Sequence, residues 1–183
     1  MTLLRARWLG RMPYQEAWDL QRALHDGRAS GRTADDYLLL LEHPPTFTLG
    51  TGADAAHVLT PAEDLARLGA EVLRVDRGGD VTFHGPGQLV GYPIVHLGDP
   101  PDVVAYVRRL EQVVIRALAD LGVPAWAEAG YTGVWTAQGK VAAIGVRTAR
   151  AVTMHGFAIN VANDLSWFRH IVPCGLADRA VAS

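Results

Sequence analysis

Arg77-Gly78-Gly79-Asp80-Val81-Thr82-Phe83-His84-Gly85-Pro86-Gly87-Gln88 sets four glycines and a proline around one arginine, one aspartate and one histidine. A plain turn needs one or two glycines, whereas four allow a ligand or a second strand to come close to the main chain. Val81 and Phe83 lie between the two glycine clusters, so the stretch reads as a short strand entered and left by tight turns, with His84 at its exit. Glu71-Val72-Leu73-Arg74-Val75 feeds into it as one strand, and Gln88-Leu89-Val90-Gly91-Tyr92-Pro93-Ile94-Val95 leaves it as another. Pro93 points to a sheet edge or a bulge there. A site held between strands is one reading. A phosphate cradle is a second, although the spacing fits neither G-x-G-x-x-G nor G-x-x-x-x-G-K-[ST] and Pro86 removes an amide. A tight hairpin with a hydrogen-bonded histidine is the third.

Upstream, Leu3 to Leu9 is strand-like, and Tyr14, Ala17, Leu20 and Leu24 recur at helical spacing up to Gly27. Tyr37 to Leu41 is a continuous apolar run, as in a strand covered on both faces, and Thr46 to Leu49 alternates like the next strand. Thr60-Pro61-Ala62-Glu63 combines a capping hydroxyl, a first-turn proline and a glutamate, with Gly69 placed to end a short helix. Downstream, Asp102 opens the longest helix. Its stripe Val103, Tyr106, Val107, Leu110, Val113, Val114, Ala117, Leu118 and Leu121 reads as core. Strands follow at Pro124 to Glu128, Val134 to Thr136, Val141 to Arg147 and Val152 to Val161, with a hairpin turn at Ala137-Gln138-Gly139-Lys140. Helices set among runs of strands, without strict βαβ alternation, predict an α+β domain on a mixed β-sheet.

At 183 residues, 49% hydrophobic and 20% charged, the chain suffices for one core, so one domain is expected over 1–183. A net charge of -2 offers no field for nucleic acid. No apolar run reaches the roughly 18 residues of a membrane span, and the first residues lack a signal-peptide layout, so a cytoplasmic protein is expected. The single cysteine, Cys174, excludes an internal disulfide and a thiolate zinc cluster.

Cys174 stands between Pro173 and Gly175, which suits a thiol exposed at a turn as well as a small buried hydrophobe. A nucleophilic thiol needs a neighbouring cation or base. Lys140, His84, His155 and His170 are the candidates. Lys140 is the chain's one lysine among seventeen Lys and Arg, and an ammonium, unlike a guanidinium, can lose its proton when desolvated. A solvated lysine in a hairpin turn is the plainer alternative. Metal binding by His84, His155 and Cys174 matches no zinc spacing, and nothing in the spacing identifies a Cys-His hydrolase.

Arg77 to Ile94, Gly139-Lys140-Val141-Ala142-Ala143-Ile144-Gly145-Val146-Arg147, His155-Gly156-Phe157-Ala158-Ile159-Asn160-Val161 and Pro173-Cys174-Gly175 closely resemble, in order, the octanoyltransferases of lipoate biosynthesis. Tyr14-Gln15-Glu16-Ala17 is similar to the family as well, so the resemblance covers most of the chain. It implies the fold of biotin and lipoate protein ligase catalytic domains. It also implies transfer of an octanoyl group from octanoyl-acyl carrier protein to a lysine of a lipoyl domain, through an acyl-thioester and without cofactor or metal. The acceptors implied are the lipoyl domains of 2-oxoacid dehydrogenase complexes and the glycine cleavage H protein; a monomer that binds neither nucleic acid nor membrane is expected.

Carried over position by position, Cys174 matches the family's nucleophile and Lys140 the lysine that lowers its pKa. Arg77, Gly78, Gly79, Asp80, Val81, Thr82, Phe83 and His84 match substrate-binding segments, as do Ala143, Ile144 and Gly145, and Gly156, Phe157 and Ala158. The chain departs from the pattern after Gly175: it ends Ala177 to Ser183, where the family continues with a Thr-Ser-Leu-type segment and a C-terminal helix. Two alternatives are an ATP-dependent lipoate or biotin ligase on the same fold, and a non-catalytic module that docks on carrier or lipoyl domains.

Overall fold

The structure is a computed structural model that describes residues 3–172 and 180–183. In chain order the elements are β1 (Leu4–Arg11), α1 (Tyr14–Ala29), β2 (Asp36–Glu42), β3 (Thr46–Leu49), a 3₁₀ turn (Ala55–His57), α2 (Ala62–Arg67), β4 (Glu71–Arg74), β5 (Val81–His84) and β6 (Gln88–Ile94). There follow α3 (Val103–Asp120), β7 (Trp126–Glu128), β8 (Tyr131–Thr136), β9 (Gly139–Ala149), β10 (Val152–Asn160) and a 3₁₀ turn (Leu165–His170). Among the described residues the strands form a mixed seven-stranded sheet, ordered β1-β2-β6-β10-β9-β8-β7, and a three-stranded sheet, β4-β3-β5. This is the α+β architecture the sequence predicts.

Strand alternation divides the large sheet between two cores. Leu39, Leu41, Val90, Tyr92 and Ala158 meet Ala17 of α1. Phe157 and Ile159, next to Ala158 in the chain, face the other way and meet Tyr106, Leu110, Val114 and Leu118 of α3. The small sheet closes its own core, in which Phe47, Leu49, Val81 and Phe83 pack with Leu65 and Ile171. Full burial of each such side chain is worth roughly 1.5–3 kcal/mol, which holds each sheet against the elements that cover it.

Several expectations are corrected. On α1 the buried face runs Tyr14, Ala17, Gln21, His25, so polar residues occupy positions beside the predicted leucines. On α3 Val113 is 56% and Leu121 78% exposed, while Glu111 is buried, because the core-facing stripe is narrower than the apolar one. Thr60 does not cap α2: Pro61 precedes the helix without a side-chain cap, and the Thr60 hydroxyl meets His170 Nδ1 at 2.8 Å. Lys140 lies in β9, past the turn. Pro93 is in an interior strand, between β2 and β10, not at an edge. It is accommodated because β10 distorts opposite it: His155 takes φ +57°, and its amide donates to Gln21 Oε1 at 2.8 Å instead of to the sheet.

Candidate active site

A cleft of about 390 Å³ opens between the two sheets. Its walls come from the glycine-rich loop, β5, β9, β10 and the β7–β8 turn. Gly78 donates to Val146 O at 2.9 Å, so the loop rests directly on β9. Arg77 is buried and holds that loop from within: Nε and Nη2 donate to Thr48 Oγ1 at 3.1 and 2.9 Å, Nη2 also to Thr48 O and Asp80 O, and Nη1 to Gly78 O. Asp80 accepts the Val81 amide at 2.8 Å through Oδ1 and pairs with His57 Nδ1 through Oδ2.

The cleft brings together Arg77, Gly78, Gly79, Asp80, Thr82, His84, Lys140, Ala143, Ile144, Gly145, Gly156, Phe157 and Ala158. Val81 and Phe83, the alternate residues of β5, turn away from it. Val81 joins the core of the small sheet, and Phe83 stacks on Trp167 with ring centres 5.3 Å apart and an 8° angle. They form the wall from behind. The lining also contains His155, a candidate partner of the thiol, and Tyr14, Tyr92 and Tyr131, which the sequence did not single out as site residues. Tyr14 carried a signal in its family-like tetrad, Tyr14 to Ala17.

The cleft floor is a buried, uncharged set of rings. His43 Nδ1 donates to Met12 O at 2.8 Å, which leaves Nε2 to accept the Tyr92 hydroxyl at 2.7 Å; burial lowers its pKa to about 4. His84 Nδ1 donates to Gln88 Oε1 at 2.8 Å, and burial holds its pKa well below the ordinary value. His155 Nε2 meets Asp76 Oδ1 at 2.7 Å and Nδ1 meets the Tyr14 hydroxyl at 3.4 Å. Burial lowers the His155 pKa as well, with Asp76 opposing. Burial also pushes the Tyr14 phenol up to about 12. A neutral imidazole carries no positive charge, so neither His84 nor His155 supplies a cation to this cleft.

Lys140 enters the cleft from β9, with Nζ 5.6 Å from the centre of the Trp135 ring. Its backbone pairs with the C-terminal residues: its amide donates to Ala180 O at 2.9 Å and its carbonyl accepts the Ala182 amide at 3.0 Å. Asn160 Nδ2 also donates to Ala182 O, at 2.9 Å. Cys174 lies outside the described residues. The chain that leads to it is held at Val172, whose amide donates to His57 O at 2.8 Å, and the chain that leaves it is held at Ala180, beside Lys140. His170, the remaining candidate base, bonds Thr60 and does not line the cleft. Among the described residues no three His, Cys, Asp or Glu side chains are grouped to hold a metal ion. No helix among them is long and apolar enough to cross a membrane.

The lipoyl protein ligase A/B catalytic domain matches residues 13–183 of the chain. An octanoyltransferase of Gloeobacter violaceus is 54% identical over 168 residues, covering 91% of this chain and 73% of that protein. Among solved structures, a lipoate-protein ligase A bound with ATP superposes with a TM-score of 0.70 at 16% identity, over 93% of this chain and 70% of that one. A biotin acetyl coenzyme A carboxylase synthetase of Helicobacter pylori gives 0.54 at 11% identity, over 89% and 63%. These two likenesses establish the ligase catalytic-domain fold.

Proposed function

The chain belongs to the octanoyltransferases of the lipoyl protein ligase A/B catalytic domain family, and from that premise we propose that it moves an octanoyl group from octanoyl-acyl carrier protein to a lysine of lipoyl domains through a thioester on Cys174. The acceptors in this reading are lipoyl domains of 2-oxoacid dehydrogenase complexes and the glycine cleavage H protein, and the enzyme acts as a cytoplasmic monomer.

The observation that carries the reading is that Lys140 shares one cleft with the Arg77–Asp80 loop, Ala143 to Gly145 and Gly156 to Ala158. The Lys140 ammonium favours the Cys174 thiolate by charge. The sulfur attacks the carbonyl carbon of the carrier thioester, the bond to the carrier sulfur breaks, and Lys140 gives its proton to the departing thiol. The neutral Lys140 amine then takes a proton from the incoming lysine as that nitrogen attacks the acyl-enzyme. An amide forms, Cys174 leaves as thiolate, and Lys140 is again an ammonium. One thioester is exchanged for another and then for a more stable amide, so no nucleotide is consumed. Backbone amides of the Ala143 to Gly145 segment stabilise the tetrahedral oxyanion. At about 390 Å³ the cleft falls in the range of small-ligand sites, roughly 300–1,000 Å³. Each methylene of the chain buried there contributes about 0.8 kcal/mol, enough for cleft depth to select length.

The test is transfer from octanoyl-acyl carrier protein to a lipoyl domain with no ATP present. Wild type should turn over and Cys174→Ser should be nearly inactive. Substantial activity in Cys174→Ser would end the covalent mechanism, and activity only with free octanoate or lipoate plus ATP would replace it with the ligase reaction.

A further inference from the structure

We infer that Glu111 and Gly133 form a positioning device for the Lys140 side chain; the inference rests on the reading of Lys140 as the acid–base group. Glu111 lies on α3, is 0% exposed and does not line the cleft. Its Oε1 accepts the Gly133 amide at 3.0 Å, and both oxygens accept Arg108 Nη1 at 2.8 Å. A carboxylate this buried is costly to the fold and is no better for stability than a well-packed apolar residue. Its bond to one particular amide of β8 therefore calls for a local explanation.

Gly133 supplies one. Its φ is +127°, and a Cβ there would stand 2.5 Å from Lys140 Cε, 3.2 Å from Lys140 Nζ and 2.6 Å from Ala142 O. The lysine stem thus lies against a bare Cα in a backbone conformation that side chains rarely adopt. The β8–β9 ladder is irregular at the same place. Val134 pairs with Ala142 and Trp135 with Lys140, so Val141 is an extra residue, and such a bulge re-aims the side chains beside it. Trp135 is the aromatic group near Nζ. The bulge turns Lys140, the bare face of Gly133 receives its stem, and Glu111 holds that face in place from the helix behind.

Because the chain has one lysine, [ε-13C]lysine labelling of the full protein yields a single lysine side-chain resonance whose pH titration reports on Lys140 alone. Glu111→Leu, which removes the acceptor, should move that resonance and its midpoint and lower kcat about tenfold or more, as expected when a reacting group is displaced. KM should stay nearly constant. Glu111→Gln, which keeps an acceptor oxygen, should restore both the signal and kcat. Gly133→Ala, whose Cβ also meets the Ala142 carbonyl, should lower kcat by a clearly larger factor in the wild type than in Lys140→Ala. An unmoved resonance in Glu111→Leu, or a Gly133→Ala loss of the same size with and without Lys140, overturns the positioning role. If Lys140→Ala itself leaves kcat intact, the reading of Lys140 fails and takes this inference with it.

Discussion

Pro93 and His155 face each other across the interior of the large sheet, and neither takes part in the ladder there. Phe157 pairs with Gly91 and Val152 with His96, and counting inward from both pairs sets His155 opposite Pro93. The proline has no amide to donate, and β10 leaves the extended conformation at His155, whose ring reaches Asp76 and the cleft residue Tyr14. The two strands come close at the next residue: a Cβ on Gly156 would stand 2.3 Å from Gly91 O and 2.6 Å from Pro93 Cδ. Gly156→Ala should therefore destabilise the protein by about 2–3 kcal/mol, since the obstacle is backbone and ring and not a movable side chain. Urea denaturation measures this, and a variant within about 0.5 kcal/mol of wild type would refute it.

The buried histidines should make the fold acid-labile well above the carboxylate range. His43, His84 and His155 all have folded pKa values below the ordinary 6.5 because burial disfavours the charged ring. Their contribution is full above about pH 6.5; below it the unfolded chain binds protons that the folded chain does not, and stability falls. For His43 the loss runs from about 6.5 to about 4 and amounts to roughly 3 kcal/mol. Urea midpoints taken from pH 7.5 to 4.5 should fall steadily, and a flat profile would contradict neutral buried rings.

The β9–β10 hairpin turns through Arg150 at φ +49° and Ala151 at φ +58°, a pair of left-handed positions that favour Asn and Gly. Ala151→Gly should stabilise the protein by about 0.5–1 kcal/mol, after the larger unfolded-state entropy of glycine is offset. Calorimetry should show a raised Tm with unchanged activity, and a lowered Tm would show that the turn is not strained.

Lys140→Arg separates charge from proton transfer. A guanidinium keeps the positive charge that favours a thiolate and does not give up its proton. The variant should retain Cys174 alkylation near neutral pH and lose octanoyl transfer by about a hundredfold or more, in line with removal of a general acid–base group. Full activity in Lys140→Arg would leave Lys140 a purely electrostatic role.

Local patterns made much of this architecture legible. Glycine clusters bounded β5 and set His84 at its exit, and apolar runs marked β2 and β6. Pairings between distant strands were not legible, and they decide the meaning of Pro93, which reads as an edge or a bulge until β10 is seen to yield opposite it. Periodicity also assumed that helix faces bury apolar residues. Gln21 is buried because it takes the amide that His155 withholds from the sheet, and Glu111 because it takes the amide of Gly133. Thr60 has the chemistry of a cap and is claimed by His170, 110 residues away. In the site, Lys140 stood out as the lone lysine. Tyr14, His43, Tyr92 and His155 come from four separate elements or loops, and only the fold makes them one cluster.

In the proposed reaction Cys174 carries the octanoyl group. The most direct measurement is the intact mass of the protein after incubation with octanoyl-acyl carrier protein and no acceptor, beside a Cys174→Ala control. An octanoyl-sized increase in wild type and none in the control is the result predicted. An unmodified wild type in the presence of charged carrier, or the same increase in both proteins, would contradict it.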